Sequence, residues 1–190
     1  MKKLDVFDFD KTLFYKDSTI EFFKYCLKKH KRIAKYLPYQ LFELFKYKVK
    51  IIPKKLFKQR FFIFVKSLDN IDKDVEDFWS INKSKIRKEL IKNNKNQKIV
   101  ISASPEFLLK DICKDIGMDK LIATHIDKKT GIITGENCHG KEKVKRLNKE
   151  IKDYKIENFY SDSLSDSPLA DLSENSYLIK HNKVLDWPKE

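Results

Sequence analysis

The sequence predicts an α/β fold, an open and mostly parallel sheet with a helical cap inserted after its first strand. Three observations lead there. Short apolar runs alternate with amphipathic helical segments along most of the 190 residues, the pattern of a parallel sheet covered by helices. The stretch from about Ser18 to Lys92 is all-helical, aromatic and basic, and too long for a simple crossover. Finally, three apolar runs end in polar or acidic residues, at Asp8/Asp10, Ser102 and Asp162/Asp166, and ligands of such sheets bind beyond the carboxyl ends of the strands.

Taken in order, "KLDVFDF" (Lys3 to Phe9) reads as a buried strand ending at carboxylates, with Asp5 as a surface residue of no role. "STIEFFKYCLKKHKR" opens a helix on a capping box, Ser18 and Glu21. Further helices are expected from Tyr39 to Val49 (entered through Pro38), from Lys54 to Lys66, and in one or two pieces from Asp72 to Lys92. Ile99 to Ile101 form the next strand, and Ser104-Pro105 would cap a helix that runs through Ile116 and stops at Gly117. "KLIATHI" and "GIITGE" read as a strand and a small hairpin around Lys129–Gly131, followed by a helix over 141–152. "ENFYSDSLSDSPLADL" gives a strand, an acidic loop and a helix begun by Pro168, and "SYLIK" a last strand. The domain division is therefore 1–17 with 93–190 as the core and 18–92 as the cap.

Composition narrows the function. A hydrophobic content of 41% supports a folded core, and four glycines leave little room for a loop-rich all-β protein. Three scattered cysteines argue against a disulfide framework and for a reducing, cytoplasmic setting. No signal peptide is expected, because the N-terminus turns acidic before an apolar stretch forms. No run is apolar enough to span a bilayer.

The net charge of +13 is concentrated. Lys16 to Lys92 carries 21 Lys/Arg and 9 Asp/Glu, and Phe23 to Lys66 carries 14 basic residues against Glu43 alone. Such a surface attracts phosphates. The alternative is a solvated face in a chain that favours Lys, Asn and Ile throughout. Eleven aromatics between Phe23 and Phe64 exceed what one buried stripe per helix needs. Aromatics with lysines suit helices lying on anionic lipid, whereas no nucleic-acid-binding module is evident, so nucleic acid ranks below lipid.

The carboxylates raise a chemical question, since like charges held together push pKa values upward unless a cation intervenes. Mg²⁺ answers it, because it takes hard oxygen ligands and keeps several waters. A carboxylate at such a site can attack phosphorus, giving an aspartyl-phosphate that water later cleaves. Asp8 is the natural nucleophile. Asp10 can protonate the leaving oxygen and then deprotonate water, a role that calls for a raised pKa.

These residues carry a resemblance. "DFDKTL" resembles the D-x-D-x-T motif of the haloacid dehalogenase-like phosphohydrolases. "VISAS" is similar to their second motif, "HGKEKVKRL" to the stretch holding their lysine, and "SDSLSD" to their fourth motif, all in family order between Leu4 and Leu178. "SASPEFL" and "C-x-G-x-E-K-V-x-x-L" are similar to subfamily IB, the subgroup containing phosphoserine phosphatases and phosphatidylglycerophosphatase C. The resemblance implies a Rossmann-like core with a C1-type cap, and an Mg²⁺-dependent phosphatase. It makes Asp8 the nucleophile and a metal ligand, and Asp10 the acid/base, giving the metal its backbone carbonyl. Thr12, Ser102 and Lys143 would bind phosphate, with Lys141 adjacent as an alternative lysine. Asp162 would bind metal and Asp166 would support it. Asp17 falls where phosphoserine phosphatases carry a substrate-contacting Glu and is one methylene shorter. The expected substrate is a lipid phosphate such as phosphatidylglycerophosphate, with peripheral association of the basic cap with the inner face of an anionic membrane. A small soluble phosphomonoester, a phosphotransferase, and an inactive membrane- or nucleic-acid-binding module are the alternatives.

Overall fold

The computed structural model describes residues 1–92 and 95–188. Six strands form one sheet in the order β3-β2-β1-β4-β5-β6. They are β1 (Lys2–Phe7), β2 (Gln97–Pro105), β3 (Lys120–Thr124), β4 (Tyr154–Ser161), β5 (Ser173–Lys180) and β6 (Lys183–Asp186). The first five are parallel and β6 is antiparallel to β5, so the α/β, mostly parallel reading is correct. The chain runs outward from β1 through β2 to β3 and then returns to β4 on the other side. That reversal leaves a crevice beyond the carboxyl ends of the central strands.

Both faces of the sheet are covered, which is why β1 and β2 read as nearly continuous apolar runs. Leu4, Val6, Ile99 and Ile101 face one core, with Leu147 of α6 (Lys141–Glu150) and Leu169 of α7 (Ser167–Ala170). Phe7 and Val100, one residue out of phase, face the other core with Leu108 and Ile112 of α5 (Glu106–Asp115).

That second core continues into the helical segment between β1 and β2. It contains α1 (Ser18–Lys29), α2 (Leu37–Lys48), α3 (Lys54–Phe61) and α4 (Ile71–Asn82). Trp79 of α4 packs edge-on against Phe9 and Phe14, and its Nε1 donates to the Leu108 carbonyl at 2.6 Å. Phe22 of α1 meets both Phe78 and Phe107 edge-on. The boundary expected between 92 and 93 abuts residues outside those described.

Several local expectations need correction. β1 ends at Phe7, so Asp8 is the first residue beyond the strand. The cap of α1 is Asp17, whose carboxylate accepts from Ile20 N at 2.9 Å, and not Ser18, which is buried in the first turn. Ser104 caps nothing; Pro105 occupies the N-cap of α5 without a side-chain bond. The helix expected to reach Lys66 gives way after Phe61 to a 3₁₀ stretch, Phe62–Ser67. Asp5 is buried within β1 and accepts from Asn96 and Asn158, at 3.1 and 2.7 Å. A carboxylate is tolerated there because two amides satisfy it. A sixth strand follows a two-residue turn in which His181 and Asn182 both take positive φ. Cys26, Cys113 and Cys138 are buried and unpaired, and among the described residues no helix is long and apolar enough to cross a membrane.

Candidate active site

β1 delivers the first carboxylate. Asp8 N still donates to Tyr160 O of β4 at 2.8 Å, so the sheet ladder fixes its backbone just past the strand end. The chain then folds back on itself: Lys11 takes a left-handed conformation, its N–H donates to Lys16 O, and Phe14 N donates to Phe9 O. This tight loop presents Asp10 to the start of α1. Ser18 N donates to Asp10 Oδ1 at 2.7 Å, and the Ser104 hydroxyl of β2 donates to Oδ2. A backbone N–H at a helix start is an orphan donor, so Asp10 satisfies it while gaining the favourable end of the helix dipole.

α6 delivers the cation. Lys143 is buried, and its Nζ lies 2.7 Å from both Asp8 Oδ1 and Asp166 Oδ2. Lys141 is exposed on the same helix, so Lys143 is the lysine that meets the carboxylates. Ser161, the last residue of β4, donates to Asp166 Oδ2 at 2.8 Å. Ser102 of β2 is buried, and its Oγ accepts from Ser104 N at 3.0 Å, which leaves its own proton to give.

Asp8, Asp10, Asp17, Ser102, Lys143, Asp162 and Asp166 all line one pocket of about 190 Å³. Thr12 does not: it is fully buried, and its Oγ1 has no partner. Its expected phosphate contact is therefore not available in this structure. A larger open groove of about 840 Å³ beside α7 and β5 holds none of the site carboxylates.

Burial governs the electrostatics. It pushes Asp8 up to about 7, against the lowering effect of the Lys143 charge, and Asp166 raises it further. Burial likewise pushes Asp10 up to about 6, reinforced by Asp17 and opposed by the Ser104 and Ser18 hydrogen bonds. Asp162 is raised by burial. Burial works against the Lys143 ammonium, but Asp8 and Asp166 outweigh it and hold its pKa above the usual lysine range.

Three contributors were not singled out from sequence. Ser104 positions Asp10, and the signal for it was "SAS", a second hydroxyl two residues after Ser102. Lys54, at the start of α3, lines the pocket. One turn later, Lys58 donates to the Ala103 carbonyl and to Asn137 Oδ1, tying α3 to β2 between the two serines. Burial pushes Lys58 down to about 8.

The donor set fits a hard divalent cation. Asp8 and Asp166 share the buried Lys143, Asp10, Asp17 and Asp162 line the same pocket, and Asp166 Oδ1 is buried without a partner. Among the described residues no group of three or more Asp, Glu, His or Cys side chains forms a ready-made metal cage. Mg²⁺ does not need one, because it is held by one or two carboxylates and retains waters.

A family model of the haloacid dehalogenase-like hydrolases matches residues 6–171. The chain belongs to this family. As a haloacid dehalogenase-like hydrolase it is an enzyme, and the match takes in the helical segment and the ends of the three strands, β1, β2 and β4, that line the pocket. No curated protein matches the sequence. Among solved structures, a protein of unknown function from Bordetella pertussis Tohama I is similar over 93% of this chain and 89% of its own, with a TM-score of 0.80 and 18% identity. A phosphoserine phosphohydrolase-like protein from Francisella tularensis subsp. tularensis SCHU S4 aligns over 93% and 86%, with a TM-score of 0.59 and 18% identity. A phospho-aspartyl intermediate analogue of phosphoserine phosphatase aligns over 92% and 85%, with a TM-score of 0.55 and 18% identity. At these identities the likeness is one of fold.

Proposed function

We propose that this haloacid dehalogenase-like hydrolase is an Mg²⁺-dependent phosphomonoesterase that works through an aspartyl-phosphate on Asp8. One observation carries the reading: Asp8 is fixed by Lys143 at the end of β1, and Asp10, fixed by Ser18 N and Ser104, lines the same pocket with a raised pKa. Lys143 holds one Asp8 oxygen, and the other attacks phosphorus. The phosphorus–oxygen ester bond breaks, and Asp10, protonated, gives its proton to the departing oxygen. Asp10 as carboxylate then takes a proton from water, the hydroxide attacks phosphorus, and the bond to Asp8 breaks to release inorganic phosphate. Ser102 and Lys143 donate to the phosphoryl oxygens. When bound by Asp8, Asp162 and the Asp10 carbonyl, with Asp166 supporting, Mg²⁺ supplies positive charge that favours ionised Asp8 and offsets the phosphoryl charge.

The substrate is an anionic phosphomonoester, for which a lipid phosphate such as phosphatidylglycerophosphate is the first candidate. Lys54 at the pocket supports an anionic leaving group. Phosphoserine is the second candidate: Asp17 lines the pocket, but its Oδ1 accepts from Ile20 N in capping α1, which leaves Oδ2 alone to face an ammonium group.

The test uses purified protein and an aryl phosphate. Phosphate release should require Mg²⁺, stop with chelator and be absent in Asp8→Asn; equal rates for wild type and Asp8→Asn refute the reading. Assays on phosphatidylglycerophosphate in mixed micelles and on phosphoserine then rank the substrates.

A further inference from the structure

Helix α2 is folded inside out. It buries the polar Gln40 and Glu43, and turns Leu41, Phe42 and Phe45 outward at 63%, 55% and 59% exposure. The next turn adds Val49 and Ile51, also exposed. This orientation is enforced. Gln40 Nε2 donates to the Phe61 carbonyl at 2.7 Å, and Glu43 accepts from Arg60 of α3 and from Lys46. An apolar face held outward by buried hydrogen bonds and ion pairs marks an interaction surface.

We propose that this face docks on an anionic lipid bilayer. Charge complementarity selects that occupant. Lys35, Lys48 and Lys50 are exposed around the patch, and Lys46 lies 4.4 Å over the Phe42 ring. Glu43, the sole acid between Phe23 and Lys66, is buried and paired, so no exposed acid in this segment opposes a negative surface. Exposed apolar side chains flanked by lysines are what an interfacial helix inserts among lipid headgroups. A second copy of this chain would bring two basic faces together; Phe42 and Phe45 offer rings to a base, but Leu41, Val49 and Ile51 beside them are aliphatic and gain burial only in an apolar medium. The patch runs on through Ile51, Ile52 and Pro53 to Lys54, which lines the phosphate pocket. Docking would therefore set that pocket close to the headgroups.

The test is co-sedimentation of the full chain with phosphatidylcholine vesicles, with and without phosphatidylglycerol, at low and high salt. Binding should need phosphatidylglycerol and weaken with salt. The Phe42→Ser/Phe45→Ser double variant should bind at least about tenfold more weakly, with its thermal midpoint and aryl-phosphate turnover unchanged. In a Phe45→Trp variant the emission should move to the blue on adding these vesicles. Undiminished binding by the double variant, equal binding to phosphatidylcholine alone, or no emission shift overturns the proposal. So does a dimer that this double substitution converts to monomer, or tighter binding to single-stranded RNA than to vesicles. Asp8→Asn should bind vesicles like wild type, which separates this inference from the reaction.

Discussion

Replacing Asp8 by Asn should stabilise the metal-free protein while abolishing turnover. Desolvation raises Asp8 from 3.8 to about 7 in the folded state even with Lys143 beside it. A carboxylate with a raised folded pKa binds its proton more tightly when folded. The burden on stability is thus absent below about pH 4, grows as pH rises, and is complete above about 7. Three pKa units at about 1.4 kcal/mol each bound the burden at about 4 kcal/mol. Asn mimics the protonated carboxyl in charge and leaves Lys143 paired with Asp166. We therefore expect a gain of about 2–4 kcal/mol at about pH 8, shrinking to about a third of that at about pH 5. Urea denaturation in chelator at both pH values measures it. A variant less stable than wild type at the higher pH, or a gain that does not change with pH, refutes the view of Asp8 as a desolvated carboxylate. Active sites commonly carry such a cost.

Other outcomes follow from the same geometry. Ser104→Ala removes a hydroxyl that lowers the Asp10 pKa, so the pH-rate profile should shift upward by up to about one unit; an unmoved profile means that Ser104 does not tune Asp10. Lys58 has a folded pKa depressed to about 8, so the unfolded chain holds more protons between about 8 and 10.5 and wild-type stability should rise with pH there. Lys58→Met should flatten that rise, as read by denaturation across the window. Gly131→Ala should cost at least about 2 kcal/mol, because φ is +76° and the new Cβ would sit 2.4 Å from the Phe62 carbonyl oxygen. Gly135→Ala, with similar φ but open space, is the control and should cost less in the same melt.

The parts of this fold that could be read from sequence are those where one local rule acts alone. β1 and β2 bury apolar side chains on both faces, so their pattern survives any choice of neighbours. Asp8, Ser102, Lys143, Asp162 and Asp166 lie at the beginnings or ends of such elements, where the fold class itself brings them together. Reading failed where two roles compete for one residue type. Ser104 before proline satisfies the rule for a helix cap, where its Oγ would accept from a helix N–H, yet the side chain is turned to donate a charge-assisted hydrogen bond to the buried Asp10 carboxylate. Asp5 looked like a surface residue because its two amide partners lie 91 and 153 positions away. Lys54 and Lys58 are indistinguishable by spacing from the twelve other basic residues of their segment. In α2 the usual inference from amphipathicity points the wrong way, since the polar stripe is the one that pairs with α3.

The charge inventory of the pocket explains why metal and substrate should bind together. Five aspartates, at positions 8, 10, 17, 162 and 166, face three lysines, at 11, 54 and 143. Fully ionised, the lining carries two negative charges in excess, in a site where burial already raises Asp8, Asp10 and Asp162. Raised carboxyl pKa values favour relieving that excess by protonation. A divalent cation would cancel that excess and favour ionised Asp8, whereas a phosphate dianion alone would double it. The expectation is ordered affinity: phosphate or vanadate should bind weakly without Mg²⁺ and much more tightly with it, and Asp162→Asn should remove that coupling. Equal anion affinity with and without the cation, measured by calorimetry, would show that the lysines alone neutralise the site.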